Sequence, residues 1–349
     1  MAEKLTPIIV LNWNGIDDTI QCVNSIKTQS YKHWRLLLVD NGSDKYNVDT
    51  LKEKYNSDTN IELIFFHKNM GFAKAHNKVF RDFILNSNYD YVALLNNDAV
   101  ASPHWLKELI NYSEKHGGTI ISSKMLSFHH PELIDNTGHI MLNTGEIIPR
   151  SFGLKDDNDL PHKLTNIGAC AGAALYCTST LKRIGVFDNY FNTGYEDAEF
   201  GLRAFLCGEK MIYCPNAVVH HKMGQSIKKV KDNNYLIYIQ CCVFYTYFKL
   251  MPLRSILYHL PFIIFKYTIV IIVDLLFLRI SSFKRISTAL LLSYKDRKRI
   301  SKARKSFFRV NSVIRSTKEI NSELTFFLWF DIKRFLKYVI MNNKSLLEE

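Results

Sequence analysis

The 349 residues suffice for one large domain, or for a medium domain with an appendage, and at 47% apolar the chain holds the material for a substantial core. Its net charge of +12 averages two unlike parts: residues 1–221 carry 21 Lys and Arg against 25 Asp and Glu, a net of −4, and residues 222–349 carry 24 against 8, a net of +16. So uneven a split excludes a uniformly basic protein and marks the C-terminal part as an appendage facing a polyanion, either nucleic acid or an anionic membrane surface. Seven cysteines with no Cys-x-x-Cys pair, and an opening Met-Ala-Glu-Lys without a secretory apolar run, argue for a reducing, cytosolic compartment. Cys170/Cys177 and Cys207/Cys214 share a six-residue gap, wider than zinc pairs use, so buried thiols are the better reading.

Pro7 to Leu11 reads as a buried strand that breaks into the turn-rich Asn12-Trp13-Asn14-Gly15. Asp17-Asp18-Thr19 then caps a helical stretch, Ile20 to Thr28, with Cys22, Val23 and Ile26 on one face. Trp34 to Val39 is a second buried strand, followed at once by Asp40-Asn41-Gly42-Ser43-Asp44. Ile61 to His67 is a third, ending at Asn69-Met70-Gly71-Phe72-Ala73; a helix then runs to about Leu85, and the strand Tyr91 to Leu95 follows. Strands alternating with helical segments, each strand opening into a polar or Gly-bearing loop, predict βαβ units and a parallel sheet. Residues 119–170 are less regular, with strands near Thr119–Ser122 and His139–Leu142 and a polar loop at Asp156 to Asp159. Gly168 to Ala173 concentrates small residues where something must approach the backbone closely. Tyr195 to Arg203 begins a helix, and the macrodipole alone would favour Glu196 and Asp197 in its first turn. A short strand, Lys210 to Cys214, leads through Pro215 to Val218-Val219-His220-His221.

Asp98 closes the run Tyr91 to Asp98, where a near-continuous apolar strand ends in two amides and a carboxylate. In open α/β folds ligands gather where the carboxyl ends of parallel strands open into a crevice. A carboxylate there can hold a divalent cation against a diphosphate, although a strand followed by an Asx turn would look the same. The segments Leu-Asn-Trp-Asn-Gly (11–15), Val-Asp-Asn-Gly-Ser-Asp (39–44), Asn-Met-Gly-Phe (69–72), Leu-Leu-Asn-Asn-Asp (94–98), Tyr-Glu-Asp (195–197) with Arg203, and His-His-x-x-Gly-x-Ser (220–226) follow one another within residues 6–228. In order and spacing they resemble the family 2 glycosyltransferases with a GT-A fold, nearest to the bacterial rhamnosyltransferase-like subgroup that builds cell-surface polysaccharide.

The resemblance implies an α/β GT-A fold over residues 1–228, a Rossmann-like, mostly parallel central sheet with flanking helices; residues 229–349 match no motif of the family and read from their composition as a basic, apolar, α-helical, membrane-associating region. It implies an inverting hexosyl transfer from a nucleotide-diphosphate sugar, dTDP-rhamnose-like or a UDP-sugar, to a glycan or a polyprenyl-diphosphate-linked acceptor. The nucleotide would lie over the first strands, with Asp40 beside the base, Asn12, Asn14 and Asn41 in the same pocket, and Asn69 and Gly71 closing on it. The family's Asp-x-Asp is here Asn96-Asn97-Asp98, so only Asp98 can be an anionic ligand, while Asn96 and Asn97 offer neutral contacts. With an imidazole from downstream, Asp98 would hold Mn2+ or Mg2+. The Gly-x-Ser spacing favours His221 over His220, and on an extended strand only one of the two reaches the metal. The resemblance makes Asp197 the base that takes the acceptor's proton and Glu196 its supporting or acceptor-positioning neighbour. Arg203 either braces the fold or reaches phosphate.

From about Lys228 the composition changes: Tyr235 to Leu250 is aromatic-rich, Ile256 to Leu278 is apolar apart from His259, Pro261, Lys266 and Asp274, and eleven Lys or Arg lie between Arg279 and Arg309. The apolar stretch is long enough to span a bilayer, but Lys266 and Asp274 would each cost roughly 2.5–3.5 kcal/mol near its centre. His259 and Lys266 share a helical face, with Asp274 about 80° away. Helices lying in the interface of an anionic membrane, or re-entrant, fit better than a single span or a buried subdomain. That places the protein on the cytoplasmic face of the plasma membrane, peripheral or monotopic. No recognised nucleic-acid module accompanies the basic tail, and homo-oligomer formation stays open. Among rivals, a nucleotidyltransferase would need a basic Gly-rich loop, yet Leu11 to Asp18 has one Gly and no Lys or Arg. A catalytically inactive sugar-nucleotide-binding or scaffold subunit is kept open by Asn96.

Overall fold

A computed structural model gives the fold and describes residues 4–156, 167–222, 232–276, 278 and 280–328. The Gly-x-Ser at 224–226, Arg279 and the end of the polar loop at 157–159 lie outside the described residues. The chain divides into two compact units.

The first unit comprises Met1–His139, Pro149–Phe205 and Glu209–Lys229. Strands β1 (Thr6–Asn12), β2 (Trp34–Asp40), β3 (Ile61–Phe65) and β4 (Tyr91–Leu95) alternate with helices α1 (Ile16–Lys27), α2 (Lys45–Tyr55) and α3 (Phe72–Val79), the last continued by a π-helical turn at Phe80–Ile84. These strands pair in parallel in the order β3-β2-β1-β4. Ile8, Ile9 and Val10 are all fully buried, as expected of a parallel strand covered on both faces. The chain then adds β5 (Ala99–Ala101), α4 (Trp105–His116), β6 (Ile120–Ser127) and β7 (Ile134–Asn136). Next come β8 (His139–Met141) and β9 (Ile147–Pro149), which form a two-stranded sheet, then β10 (Ala173–Cys177), α5 (Thr178–Ile184), α6 (Glu196–Leu206) and β11 (Met211–His221). The large sheet runs β3-β2-β1-β4-β10-β6-β11-β5 with β7 on β6; β10 is antiparallel to both its neighbours, and β6 and β11 are parallel.

The strands expected at Pro7, Trp34, Ile61 and Tyr91 form, and the last has the expected bounds. Helix α1 starts at Ile16 with Gly15 at its N-cap and no side-chain cap, so Asp17 and Asp18 lie inside the first turn, favoured by the macrodipole rather than acting as caps. Helices α2 and α4 are additions to the expected elements. In α2 only Asn47, Leu51 and Tyr55 are buried, too few to write a helical period, and Asp44 caps it by accepting from the Asn47 N–H. The short strand expected at Lys210 to Cys214 is the first half of β11, which reaches His221 by absorbing Pro215 in a register shift between Tyr213 and Val218.

The second unit comprises Ile140–Ile148, Leu206–Gly208 and Val230–Glu349. Its helices are α7 (Asn233–Leu250), α8 (Leu253–Leu276), α9 (Ile280–Lys295), α10 (Arg297–Val310) and α11 (Thr317–Ser322). Helix α7 is the core of this unit, burying Cys242, Tyr247 and Leu250, with α9 and α10 packed on it; α9 and α11 also pack on α8. All seven cysteines of the chain are free thiols.

Candidate active site

At the carboxyl ends of β1 and β4 the first unit opens a cleft of about 240 Å3. Asn41, Asn69 and Gly71 line one part of it, Asn96, Asn97, Asp98 and His221 another, and Glu196 and Asp197 a third. Nine of the thirteen expected site residues thus meet in one place. Asn12, Asn14, Asp40 and His220 do not line it, each for a physical reason. The Asp40 carboxylate is buried and tied to its own loop and to β1: Oδ1 accepts from the Gly42 and Ser43 N–H groups at 3.1 and 2.9 Å and Oδ2 from Asn12 Nδ2 at 2.8 Å. Asn12 Oδ1 accepts in turn from Thr19 Oγ1 at 2.9 Å, so the pair ties β1 to β2 behind the cleft. Asn14 is exposed, with φ 50°, and its Oδ1 accepts from the Asp44 N–H. His220 precedes His221 on an extended strand and therefore faces the other side of the sheet.

The donor-side loops are knitted to one another. Asn41 Nδ2 donates to Asn69 Oδ1 at 3.0 Å, and that oxygen also accepts from the Gly71 N–H at 2.8 Å, while Asn41 Oδ1 accepts from the Met70 N–H. Gly71 is needed twice over: its φ is +76°, and a Cβ would stand 2.1 Å from Asn192 Oδ1. Trp13 and Phe72, which lie within the motifs at 11–15 and 69–72 without a role assigned by the sequence, add apolar faces to the cleft.

His221 is the electrostatic centre of the second group. Its Nε2 lies 3.2 Å from Asp98 Oδ1 and its Nδ1 2.7 Å from Asp135 Oδ2. The register of β11 on β5, which sets His221 beside Ala99, makes the first contact; β7 supplies Asp135. Burial alone would push the imidazole down, but the two carboxylates outweigh it and hold His221 well above its usual range. This is a place for positive charge. A carboxylate and an imidazole that converge, with a second carboxylate on the far ring nitrogen, are a donor set that fits a divalent cation completed by other oxygens. Among the described residues no three His, Cys, Asp or Glu are grouped to hold a metal ion by themselves. Asp135 belongs to the irregular stretch 119–170, where no motif marked it.

The third group stands at the start of α6. Tyr195 adopts φ +74°, a costly conformation for an aromatic residue, and the helix begins immediately at Glu196. Asp197 Oδ2 accepts from the Ala171 N–H at 3.0 Å and Oδ1 from the Ala198 N–H at 2.8 Å. His139 Nε2 lies 3.9 Å away, in a ring that burial pushes down and Asp197 partly restores; its Nδ1 is buried without a hydrogen-bond partner. Glu196 is buried, its Oε2 has no hydrogen-bond partner, and burial, reinforced by Asp197, pushes its carboxyl up to about 8. Burial thus holds Glu196 toward its neutral, proton-carrying form, beside an Asp197 whose carboxylate accepts from two backbone N–H groups. The small residues at 168–173 serve a close approach, as expected: a Cβ on Gly201 of α6 would stand 2.6 Å from Gly168 Cα, and one on Gly172 3.0 Å from Asn96 Nδ2. Arg203 braces the fold. It is buried, pairs with Glu199 at 3.0 Å and donates to the Ile184 and Val186 carbonyls at 2.6 and 2.8 Å.

A mixed sheet flanked by helices, with its cleft at the carboxyl ends of the parallel strands, is an α/β fold of the GT-A kind. It shares that fold with the crystal structure of GalNAc-T7 with UDP, GalNAc and Mn2+, at a TM-score of 0.51 and 12% identity over 63% of this chain and 44% of that one. Residues 8–184, half of the chain, match Glycosyl transferase family 2, and the chain belongs to that family. One segment is 31% identical to the "Bifunctional glycosyltransferase pgtA" of Dictyostelium discoideum, covering 36% of this chain and 16% of that protein. A stretch of 96 residues is 30% identical to the "Putative teichuronic acid biosynthesis glycosyltransferase TuaG" of Bacillus subtilis (strain 168), covering 28% of this chain and 36% of that protein. The matches thus span about a third or less of these relatives' own lengths.

Proposed function

We propose that this chain is an inverting glycosyltransferase that moves a hexosyl group from a nucleoside-diphosphate sugar, of the dTDP-rhamnose or UDP-sugar kind, to a glycan or lipid-linked glycan in the synthesis of surface polysaccharide. The carrying observation is that two groups line one cleft, Asp98 with His221 and Glu196 with Asp197. Membership of family 2 and the teichuronic acid relative support the reaction class and its setting.

The acceptor hydroxyl attacks the anomeric carbon, its O–C bond forming as the bond from that carbon to the diphosphate oxygen breaks and the electron pair leaves with the diphosphate. The acceptor's proton passes to Asp197, whose two N–H partners hold the carboxylate in place while leaving a lone pair on each oxygen. Neutral Glu196 can donate a hydrogen bond to an acceptor oxygen without repelling the departing anion. Trp13 and Phe72 cover apolar parts of the donor, and the Asn41–Asn69 pair fixes the loop around it. Asp98 and His221 would hold Mn2+ or Mg2+, which when bound neutralises charge on the leaving diphosphate; GalNAc-T7 was solved with Mn2+.

The test is a panel of nucleotide sugars with Mn2+, scored for hydrolysis and transfer in the parent and in Asp197→Asn. Transfer should fall by about 10²-fold or more in the variant, with nucleoside-diphosphate binding retained, and EDTA should suppress the parent. Turnover near the parent's in Asp197→Asn would remove the base, and full activity in chelator would remove the metal. Nucleotide binding without turnover of any donor would leave an inactive binding or scaffold subunit, the reading that Asn96 favours.

A further inference from the structure

Helix α8 is built inside out. Its buried positions are Ser255, His259, Ile263, Tyr267 and Asp274, a stripe spaced by four and seven residues that includes half of the helix's polar side chains. Two of the polar ones have partners within the second unit: His259 Nδ1 lies 3.2 Å from Tyr247 Oη, and Tyr267 Oη accepts from Gln240 Nε2 at 2.8 Å; Ser255 Oγ and Asp274 Oδ2 are buried without a hydrogen-bond partner. Lys266, beside the stripe, is turned inward onto Glu146 at 2.7 Å. Outward stand Leu257 (61% exposed), Ile264 (57%), Ile272 (49%) and Leu276 (73%), with Leu253, Tyr258, Phe265 and Leu275 alongside. A soluble helix does the reverse, hiding its apolar stripe and wetting its polar one. Over 24 residues, at 1.5 Å each, the apolar face is about 36 Å long, far beyond the scattered apolar residues that an ordinary surface carries.

Charge selects the occupant. Residues 222–349 carry a net of +16, so a second copy laid against this unit would bring like charge to like. On α10, Lys298, Lys302, Lys305 and Arg309 recur along one helical face and line a shallow groove with Arg297 and two serines, with no acid among them. An anionic surface satisfies both features: apolar side chains enter the acyl boundary while basic ones meet headgroups. The geometry points to a helix lying in the interface plane. Only one face of α8 is free, since α9 and α11 pack on it and Lys266 is held by Glu146; a span would immerse the buried Asp274, His259 and the Lys266–Glu146 pair in hydrocarbon.

We propose that the second unit docks on an anionic lipid bilayer through the outward face of α8, with the α10 lysines adding electrostatic attraction. The surface does not depend on the sugar-transfer reading, and its test needs no activity. Full-length protein is floated with phosphatidylcholine vesicles that contain phosphatidylglycerol and with vesicles of phosphatidylcholine alone. It should bind the first more tightly, and high salt should weaken without abolishing that binding. The exposed pair Ile264→Glu/Ile272→Glu should abolish flotation with the thermal transition unchanged, and Lys298→Gln/Lys302→Gln/Lys305→Gln should weaken it by roughly 100-fold, at about fivefold per lysine. Membrane-bound protein should be released by alkaline carbonate. Four outcomes overturn the proposal: no binding to either vesicle, binding indifferent to the apolar pair or to the lysines, retention through carbonate as for a span, or a lipid-free dimer that the apolar pair dissolves.

Discussion

Replacing Gly201 by Ala probes the joint that positions the proposed base. In an unobstructed helix the change gains about 1 kcal/mol, because Ala has the better helix propensity. Here the new Cβ would stand 2.6 Å from Gly168 Cα and 2.9 Å from the Ile167 carbonyl oxygen, both backbone atoms that cannot rotate aside. Overpacking of this kind costs about 1–3 kcal/mol, so the net is a loss of up to about 2 kcal/mol, or a fall in Tm of up to roughly 8 °C for a unit of this size. Relief requires α6 to move off the 167–172 loop, and that movement stretches the 3.0 Å bond from the Ala171 N–H to Asp197. As a misplacement of about 1 Å can cost 10²-fold in rate, transfer should fall on the order of tenfold when assayed well below the transition. Thermal unfolding and initial transfer rates on the same preparation decide the matter. A Gly201→Ala protein that melts higher and transfers normally would show that the glycine contact holds nothing in place.

Glu196→Gln should flatten the pH dependence of stability. A carboxyl whose folded value (about 8) exceeds its free value of 4.5 adds stability that is complete below pH 4.5 and lost as the pH climbs to about 8, at up to about 1.4 kcal/mol per pH unit; the stabilities of parent and variant, alike at acid pH where Gln stands in for the neutral carboxyl, should therefore diverge toward alkaline pH with the parent the less stable, and parallel curves would refute the buried proton. Asp135→Asn, which keeps the shape but withdraws the carboxylate from His221 Nδ1, should weaken Mn2+ binding about 10- to 100-fold by calorimetry, and unchanged affinity would confine Asp135 to folding. Arg203→Leu removes the guanidinium that pairs with buried Glu199, for a loss of about 3–5 kcal/mol; a marginal change in the denaturation midpoint would contradict the bracing role.

Much of the parallel half was legible because buried parallel strands are written as unbroken apolar runs, such as Ile8 to Val10 and Val92 to Leu95, each stopped by a polar loop. Helix α2 was not, since its stability comes from the Asp44 cap and three buried residues rather than from a periodic face. The insertion of β10 between β4 and β6 is a tertiary choice with no local signature. At the site, the motifs named the right loops but not which way each side chain turns: Asn41 faces the cleft, and Asp40, one residue earlier, is tied to its own loop. Asp135 and His139 come from a stretch without periodicity, and only folding brings them to His221 and Asp197.

The pairing of β11 with β5 gives the doubled histidine a further meaning. His221 reaches Asp98 because it is the residue opposite Ala99, and His220 is opposite Val100. A slip of one residue turns every side chain of a strand to the other face, and β5, three residues long, lies at the sheet edge and contributes only three pairs to hold the alignment. With a single histidine such a slip would empty the position beside Asp98. With two in tandem, it would present the imidazole of His220 in place of that of His221. A slip in the opposite sense would bring Lys222 there instead, so the longer pairing of β11 with β6, which sets His221 beside Ser127, is what keeps the imidazole at Asp98.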